Sequence, residues 1–180
     1  MNNNLIITIS RQYGTGGREI GQKLALRLGI PFYDRELITR AAKKTGFDEK
    51  LFDQLDKRAT NSFLYSLSMF GSVGLNGMSL TDQLYLAQSN IVREMAEDSA
   101  CVIVGRCADH VLRDFPNKFD FFIHGSIEDR VKRIQTCGDY EIEGKTPESA
   151  LEKMDKQRST YYNYYTGKVW GKCDHYDLCI

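Results

Sequence analysis

A short apolar run near the amino terminus, residues 5–10, breaks into a glycine-rich loop, and an amphipathic helical pattern follows at once. The loop contains Gly14, Gly16 and Gly17, and Arg18 comes directly after them. A strand, a glycine loop and a helix in this order present backbone N–H groups and the positive end of a helix dipole to a phosphate. The feature therefore predicts an α/β fold that binds a nucleotide phosphate at this loop.

The rest of the chain alternates between apolar runs and helical patterns. Short apolar runs at 100–104 and 119–124 are typical of buried strands, and two shorter strands are predicted at 31–34 and 176–180. Between and around them lie helical patterns, which favour βαβ units and a parallel sheet. Helices are predicted after the glycine loop as far as Gly29 and at 36–45, 49–57, 82–98, 127–136 and 147–162. The first of these carries Ile20, Leu24 and Leu28 on one stripe.

Length, charge and cysteine content limit the classes of function. The 180 residues suit one domain, and 24 basic and 24 acidic side chains balance, so no overall field favours nucleic acid or an anionic membrane. Neither a signal peptide nor a membrane-spanning apolar run is visible. The five cysteines lack the C-x-x-C spacing of a metal site. These observations predict a cytoplasmic protein with reduced thiols and no nucleic-acid or membrane partner.

The glycine loop fits two known motifs incompletely. In the Walker A pattern, Gly17 takes the second glycine position and Arg18 the lysine position, but Gln12 and Glu19 replace the first glycine and the hydroxyl residue. A dinucleotide-binding turn is the rival. For that motif Asp34 lies about 20 residues beyond the loop, although its third glycine falls at Glu19. Both interpretations bind a phosphate, and both remain open at this point.

Arginines elsewhere favour the first motif. Arg106 directly follows an apolar strand, and the carboxyl ends of strands are where open α/β sheets bind ligands. Arg130 and Arg133 share one face of a helix, and Arg158 follows Asp155 at the same i, i+3 spacing on the next helix. Guanidinium groups match phosphate oxygens. Two such helices on either side of a polar loop predict a lid that closes over a nucleotide.

Residues 60–80 mix Ser, Gly, Asn and Met with Phe and Leu and show no clear period. The segment is too apolar to be a solvated linker. We interpret it either as a flap over the ligand or as the contact of a homodimer.

Taken together, these features resemble the cytidylate kinase-like branch of the nucleoside monophosphate kinases over nearly the whole chain. The segments that carry the resemblance are ISRQYGTGGR at 9–18, VGR at 104–106, DRVKRI at 129–134, DKQR at 155–158 and the tyrosine-rich stretch at 161–171. The resemblance implies a P-loop NTPase-type three-layer α/β/α fold with a five-stranded parallel sheet. It also implies a helical insert at 34–99 that binds the nucleoside monophosphate, a lid at 134–158, and transfer of the ATP γ-phosphate to CMP or dCMP with Mg²⁺.

The resemblance also implies roles for individual residues. The donor phosphates would be held by Gly14, Thr15, Gly16, Gly17, Arg18 and Glu19, and the acceptor by Asp34 and Arg106. The transferred group would be clamped by Arg18, Arg130, Arg133 and Arg158, with Asp155 orienting an arginine or a Mg²⁺-bound water.

Arg18 in place of lysine is not a conservative exchange, and Glu19 offers no hydroxyl for the metal, so the metal ligands stay unassigned. Two alternatives to a kinase follow: a nucleotide-binding regulator that does not transfer phosphate, and an NAD(P)-binding enzyme. Family members normally continue into a closing helix beyond the last strand, so we also expect that the sequence extends further.

Overall fold

The computed structural model of the protein describes residues 3–35, 80–138, 140 and 146–180. These residues form five strands: β1 (Ile6–Arg11), β2 (Phe32–Tyr33), β3 (Cys101–Val104), β4 (Lys118–Ile123) and β5 (Leu178–Cys179). They also form the helices α1 (Gly17–Leu28), α2 (Leu80–Asp98), α3 (Ala108–Val111), α4 (Ile127–Thr136) and α5 (Pro147–Thr166), and a 3₁₀ turn at Cys173–His175.

The strands build one parallel sheet in the order β2-β3-β1-β4-β5. The predicted five-stranded parallel sheet is therefore confirmed. The order also decides between the two motifs, because the dinucleotide-binding fold places its second strand beside its first, whereas here β3 lies between β2 and β1. The interpretation of the loop as a dinucleotide-binding turn is wrong for this reason.

Helices cover both faces of the sheet. On one face α1 packs over a cluster of buried residues from three strands and from α1 itself: Ile7, Ile9, Ala25, Val102, Val104 and Ile123. On the other face α2 and α3 pack over Ile6, Cys101 and Ile103. Alternate residues of β1 thus serve opposite layers, as the two-residue period of a strand requires, and the three-layer α/β/α architecture is confirmed.

The apolar stripe of α1 is buried only in part, through Leu24, which packs against the core cluster. Ile20 and Leu28 are 44% and 45% exposed, while Gly21 and Ala25 are buried. A Cβ atom at Gly21 would lie only 2.9 Å from Cγ2 of Val104. Small residues let α1 approach the sheet closely, and the larger apolar side chains are left beside that contact.

The start of α5 follows its sequence signals. Thr146 accepts a hydrogen bond from the Ser149 amide, the Ser149 side chain accepts one from the Thr146 amide, and Pro147 occupies the first turn. This arrangement is a capping box with proline at the position that needs no N–H donor. The helix runs four residues beyond its predicted end at 162 and so carries most of the tyrosine run.

Several predictions lie wholly or largely outside the described residues: the helices at 36–45 and 49–57, the flap or dimer contact at 60–80, and much of the insert at 34–99 and of the loop in the lid at 134–158. Within the part of the chain that is described, no helix combines the length and the apolar composition that crossing a bilayer requires. The same residues contain no cluster of three or more histidine, cysteine or acidic side chains suited to a metal ion.

Candidate nucleotide site

The glycine loop leaves β1 after Arg11 and enters α1 at Gly17. Gly14 and Gly16 have φ angles of 80° and 77°, in the left-handed region that favours glycine. Gly16 is the N-cap of α1, and as a glycine it has no side chain that could cap this helix end. The first amides of α1 are therefore open to an acceptor from outside the helix, which is how helix N-termini bind anions.

The loop packs against α4. A Cβ atom at Gly14 would lie 3.0 Å from the carbonyl oxygen of Arg130, and one at Gly16 would lie 2.7 Å from Cζ of Arg133. Thr15, between these glycines, donates its hydroxyl to the Gln12 carbonyl at 2.9 Å. The glycines thus allow both the left-handed turns and the close approach of two arginines on α4.

Arg130 and Asp155 together hold the loop backbone at Tyr13. Arg130 Nε donates to the Tyr13 carbonyl at 2.7 Å, and the Tyr13 amide donates to Asp155 Oδ1 at 2.7 Å. A hydrogen-bonded ion pair joins Arg130 Nη2 to Asp155 Oδ2 and closes the ring. The side chain of Arg130 is only 7% exposed. Both predicted residues therefore brace the loop in this structure.

Arg158 binds the strand that leads into the loop. Its Nη1 donates to the Arg11 carbonyl at 2.9 Å, and its Cζ lies 5.2 Å from the centre of the Tyr13 ring. Burial lowers the pKa of Arg158, and the nearby Asp155 carboxylate opposes the shift. Arg158 thus joins α5 to the carboxyl end of β1 and also lines the adjacent cavity described below.

Arg18 lies on the second residue of α1 and pairs with Asp34, which follows β2. The distance from Arg18 Nε to Asp34 Oδ2 is 2.7 Å. The Arg18 side chain is 52% exposed, whereas that of Asp34 is 7% exposed. The structure therefore brings two predicted site residues together: Arg18, predicted to bind the donor phosphates, and Asp34, predicted to bind the acceptor nucleotide.

Arg133 crosses the mouth of the loop at Gly16 and pairs with Glu19. Glu19 also binds Lys23 at 2.6 Å, and Arg133 Nε donates to the Tyr140 hydroxyl at 3.3 Å. The hydrogen bond from Lys23, followed by the Arg133 contact, lowers the pKa of Glu19. The Glu19 carboxylate thus already pairs with Arg133, which lies over the glycine loop at Gly16.

A cavity of about 140 Å³ lies at the carboxyl ends of β1 and β3. Its charged walls are four arginines: Arg11, Arg35, Arg106 and Arg158. Among the described residues no carboxylate lines it, and its other walls include Gln157, Tyr161 and Trp170. A concave site at this edge of an open α/β sheet is where such folds bind ligands, and its charge selects an anion.

The turn after β3 brings Arg106 to this cavity at a conformational cost. Gly105, Arg106 and Cys107 are three consecutive residues with positive φ angles, of 81°, 58° and 53°. A positive φ is uncommon for residues other than glycine, and such strained residues cluster at ligand sites. Arg106 and Cys107 are the described non-glycine residues with this conformation. The prediction that Arg106 lies at a ligand-binding strand end agrees with this placement.

Comparison with known proteins identifies the relatives of this architecture. The sequence matches the cytidylate kinase-like family over residues 6–180. The chain belongs to this family. A crystal structure of an uncharacterized protein from Eubacterium ventriosum ATCC 27560 is 30% identical, with a TM-score of 0.70, and the match covers 98% of this chain and 88% of that one.

More distant structures share the fold alone. Shikimate kinase from Bacteroides thetaiotaomicron is 13% identical, with a TM-score of 0.52 and coverage of 98% of this chain and 85% of that chain. Comparison with curated proteins gives no match. The P-loop kinase fold of the cytidylate kinase-like family is thus shown by sequence and supported by structure.

In this family member, sequence reasoning missed three residues that line the cavity: Arg11, Arg35 and Gln157. A signal for Arg11 was present, because it ends a buried strand just as Arg106 follows one. In the sequence, however, Arg11 also belongs to the loop segment 9–18. Gln157 lies within the DKQR segment, but nothing in the sequence distinguishes its side chain from an exposed one.

Proposed function

We propose that the protein transfers the γ-phosphate of ATP to a nucleoside monophosphate, with CMP or dCMP as the acceptor. The observation that carries the proposal is the cavity with four arginines beside the glycine loop. Membership of the cytidylate kinase-like family supports nucleotide-dependent phosphoryl transfer as the class of reaction and cytidine as the base. Phosphoryl transfer consists largely of positioning two phosphates and neutralising their charge, and the site offers an anion-binding group for each.

On the donor side, the residues fit the phosphates of ATP. The uncapped amides at Gly17 and Arg18, together with the left-handed turns at Gly14 and Gly16, form a concave run of N–H donors. Mg²⁺ usually binds one or two carboxylates together with substrate phosphates. At this site the substrate phosphates would supply most of the Mg²⁺ ligands, because the nearby carboxylates of Asp34 and Glu19 already bind arginines.

The predicted catalytic arginines have two roles: some hold the backbone of the glycine loop, and Arg133 lies over the loop. Arg130, Asp155 and Arg158 fix the backbone at Arg11 and Tyr13, so their first role is to hold the amide donors in place. Arg133 is the arginine over the loop. When a triphosphate is bound, we expect Arg133 to exchange Glu19 for a phosphate oxygen, because a guanidinium binds phosphate through two parallel hydrogen bonds.

On the acceptor side, Arg106 would bind the monophosphate. Its strained backbone sets the side chain at the carboxyl end of β3. Asp34 would have a supporting role through Arg18, since the two side chains are paired at 2.7 Å. A cytoplasmic location and dimerisation through residues 60–80 remain proposals of the same kind.

The decisive experiment mixes the purified protein with ATP, Mg²⁺ and each nucleoside monophosphate and follows ADP formation. We expect turnover with CMP and dCMP that exceeds turnover with AMP, GMP and UMP. Arg106→Met should lower kcat/KM for CMP by roughly tenfold or more, the loss expected for one charge-assisted hydrogen bond. The exposed Arg113→Met is the matched control and should leave the rate unchanged.

A nucleotide-binding regulator is the second candidate, and the pairs Arg18–Asp34 and Glu19–Arg133 favour it. In these pairs the residues at the lysine and hydroxyl positions of the motif bind side chains of the protein. Calorimetric titration with ATP and CMP separates the candidates. Saturable binding of both nucleotides without ADP formation from any acceptor would contradict the kinase proposal and support the regulator.

A further inference from the structure

The side chain of Arg11 extends from the end of β1 through a gap between Gly17 and Gly105. A Cβ atom at Gly17 would lie 2.8 Å from both Cβ and Cγ of Arg11, and one at Gly105 would lie 2.5 Å from Arg11 Nη1. The first glycine begins α1 and the second follows β3. The absence of a side chain at both positions therefore gives the Arg11 guanidinium a passage into the cavity.

Three other arginines around the glycine loop have partners within the protein. Arg130 binds the Tyr13 carbonyl and Asp155, Arg18 binds Asp34, and Arg158 binds the Arg11 carbonyl. Arg11 differs from them. Within residues 3–35, 80–138, 140 and 146–180 its side chain forms neither an ion pair nor a hydrogen bond.

The surroundings of Arg11 are unfavourable for a cation. Burial and the positive charges of Arg158, Arg106 and Arg35, in that order, lower its pKa well below the ordinary value, while the Asp34 carboxylate opposes the shift. A guanidinium stays protonated at neutral pH even so. Its desolvation and the repulsion therefore cost stability, and an anion bound in the cavity would offset that cost. Buried groups in such unfavourable surroundings cluster at ligand-binding sites.

We propose that Arg11 binds the phosphate of the acceptor directly and restricts the acceptor to a phosphate monoester. This inference rests on the proposed function, because the phosphate it names is that of the nucleoside monophosphate. A monoester carries between one and two negative charges at neutral pH and presents three terminal oxygens. A carboxylate carries one charge on two oxygens, so it would leave more of the arginine charge in this cavity uncompensated.

The size of the cavity agrees with this ligand. At about 140 Å³ it has roughly ten times the space that one water molecule needs. This is enough for a phosphate group and part of the organic group that carries it. Among its walls, the Gln157 Oε1 atom is buried without a hydrogen-bond partner. A phosphate monoester with hydroxyl or amino donors on its organic part would satisfy both the arginines and this acceptor.

The test uses Arg11→Met, which keeps an unbranched stem between the two glycines and removes the charge. The control is Arg27→Met, at an exposed position in the last turn of α1. Binding of CMP, cytidine and inorganic phosphate is measured by calorimetry without ATP, and the melting temperature of the unliganded protein is measured beside it. We expect Arg11→Met to weaken CMP binding by roughly 30-fold, within the range for a hydrogen bond to a charged group.

Cytidine affinity should be unchanged in the same variant, and so should all values for Arg27→Met. The melting temperature of unliganded Arg11→Met should stay level or rise, because repulsion within the cavity is removed. CMP affinity equal to that of the wild type would overturn the proposal. A melting temperature lower by more than about 3 °C, which is roughly 1 kcal/mol for a protein of this size, would also overturn it by showing that Arg11 is structural.

The same titrations separate this inference from the proposed function. A wild-type protein that binds CMP through Arg11 but forms no ADP would contradict the kinase proposal and leave the inference intact. A wild-type protein that binds neither CMP nor inorganic phosphate would overturn the inference. ADP formation with CMP that is equally fast in Arg11→Met would overturn the inference and leave the kinase proposal standing.

Discussion

Asp155 links the glycine loop to two helices through one carboxylate. It accepts the Tyr13 amide and pairs with Arg130 of α4 from its own position on α5. The two paired side chains are 7% and 17% exposed, so solvent screens the pair only slightly. Removing one partner of such a pair leaves a charge that neither water nor protein compensates.

We therefore predict that Asp155→Asn lowers the free energy of unfolding by about 3 kcal/mol, measured by urea denaturation. The asparagine still accepts the Tyr13 amide, so most of the loss reflects the unpaired Arg130. Asp114→Asn is the control, because Asp114 is 69% exposed and lies 3.9 Å from its arginine partners. Equal stability of the two variants would show that the Arg130 pair does not hold the loop.

At Gln157, in contrast, we predict a substitution that does not destabilise the protein. The buried Oε1 atom of this residue has no hydrogen-bond partner among the described residues, and an unsatisfied buried acceptor costs stability. Gln157→Leu should therefore leave the melting temperature level or raise it, while raising KM for CMP more than KM for ATP. Gln135→Leu, at an exposed position on α4, is the control. A lower melting temperature with an unchanged KM for CMP would contradict a role in acceptor binding.

Single residues of the site could be predicted where a strand end or a motif marks them. Arg106 follows the apolar run of β3, and the loop glycines follow that of β1. The partners of these residues could not be predicted, because they come from distant parts of the chain. The contact of Arg158 with the Arg11 carbonyl spans 147 residues, and no local pattern encodes it.

Among the elements, α1 shows how close packing depends on small residues. Gly21 faces the sheet, and a Cβ atom there would lie 2.9 Å from Val104 Cγ2 and 3.0 Å from Phe32 Cε2. An alanine inside a helix is ordinarily about 1 kcal/mol more stable than glycine. At this position the contacts would instead force α1 away from β3 and β2.

We predict that Gly21→Ala destabilises the protein by roughly 1–3 kcal/mol, the usual cost of an overpacked core, measured by thermal and urea unfolding. Gly138→Ala is the control, because no atom of the described residues lies within 4 Å of its Cβ position and its φ is outside the left-handed region. Stabilisation by Gly21→Ala would contradict the view that the packing of α1 on the sheet requires glycine at this position.

The elements were predicted well where a pattern is local. The five strands and the helices at 82–98, 127–136 and 147–162 correspond to observed elements, because burial on both faces and capping residues mark them. The apolar stripe of α1 is partly buried only at Leu24, while Ile20 and Leu28 are nearly half exposed, since apolar size does not reveal how closely a helix approaches a sheet. The four-residue helix α3 was not predicted, because it follows a strained turn and is too short to show a period.

At the scale of the whole molecule, a buried carboxyl group couples folding to pH. Asp109 is 4% exposed, and its Oδ2 accepts the Tyr162 hydroxyl at 2.6 Å. Burial raises the pKa of Asp109, and the tyrosine hydrogen bond opposes that shift. A raised folded pKa means that the group contributes stability below its unfolded pKa of about 4 and loses the contribution as pH rises through the folded pKa.

We therefore predict that the free energy of unfolding of the wild type, minus that of Asp109→Asn, falls as pH rises from 4 towards 8. Urea denaturation at several pH values measures this difference. For Asp114→Asn, at an exposed position, the corresponding difference should be flat over the same range. A difference for Asp109→Asn that rises with pH would mean that Asp109 is stabilised as a carboxylate.

The order of the strands has a consequence for how the protein behaves in concentrated solution. The outermost strands β2 and β5 each pair over two residues, Phe32–Tyr33 and Leu178–Cys179, while the long apolar strands lie inside the sheet. At the β2 edge, a second copy of the chain thus finds few unpaired backbone groups with which to extend the sheet. Aggregation through this edge is disfavoured, even though the inner strands are apolar enough to drive it once unfolded.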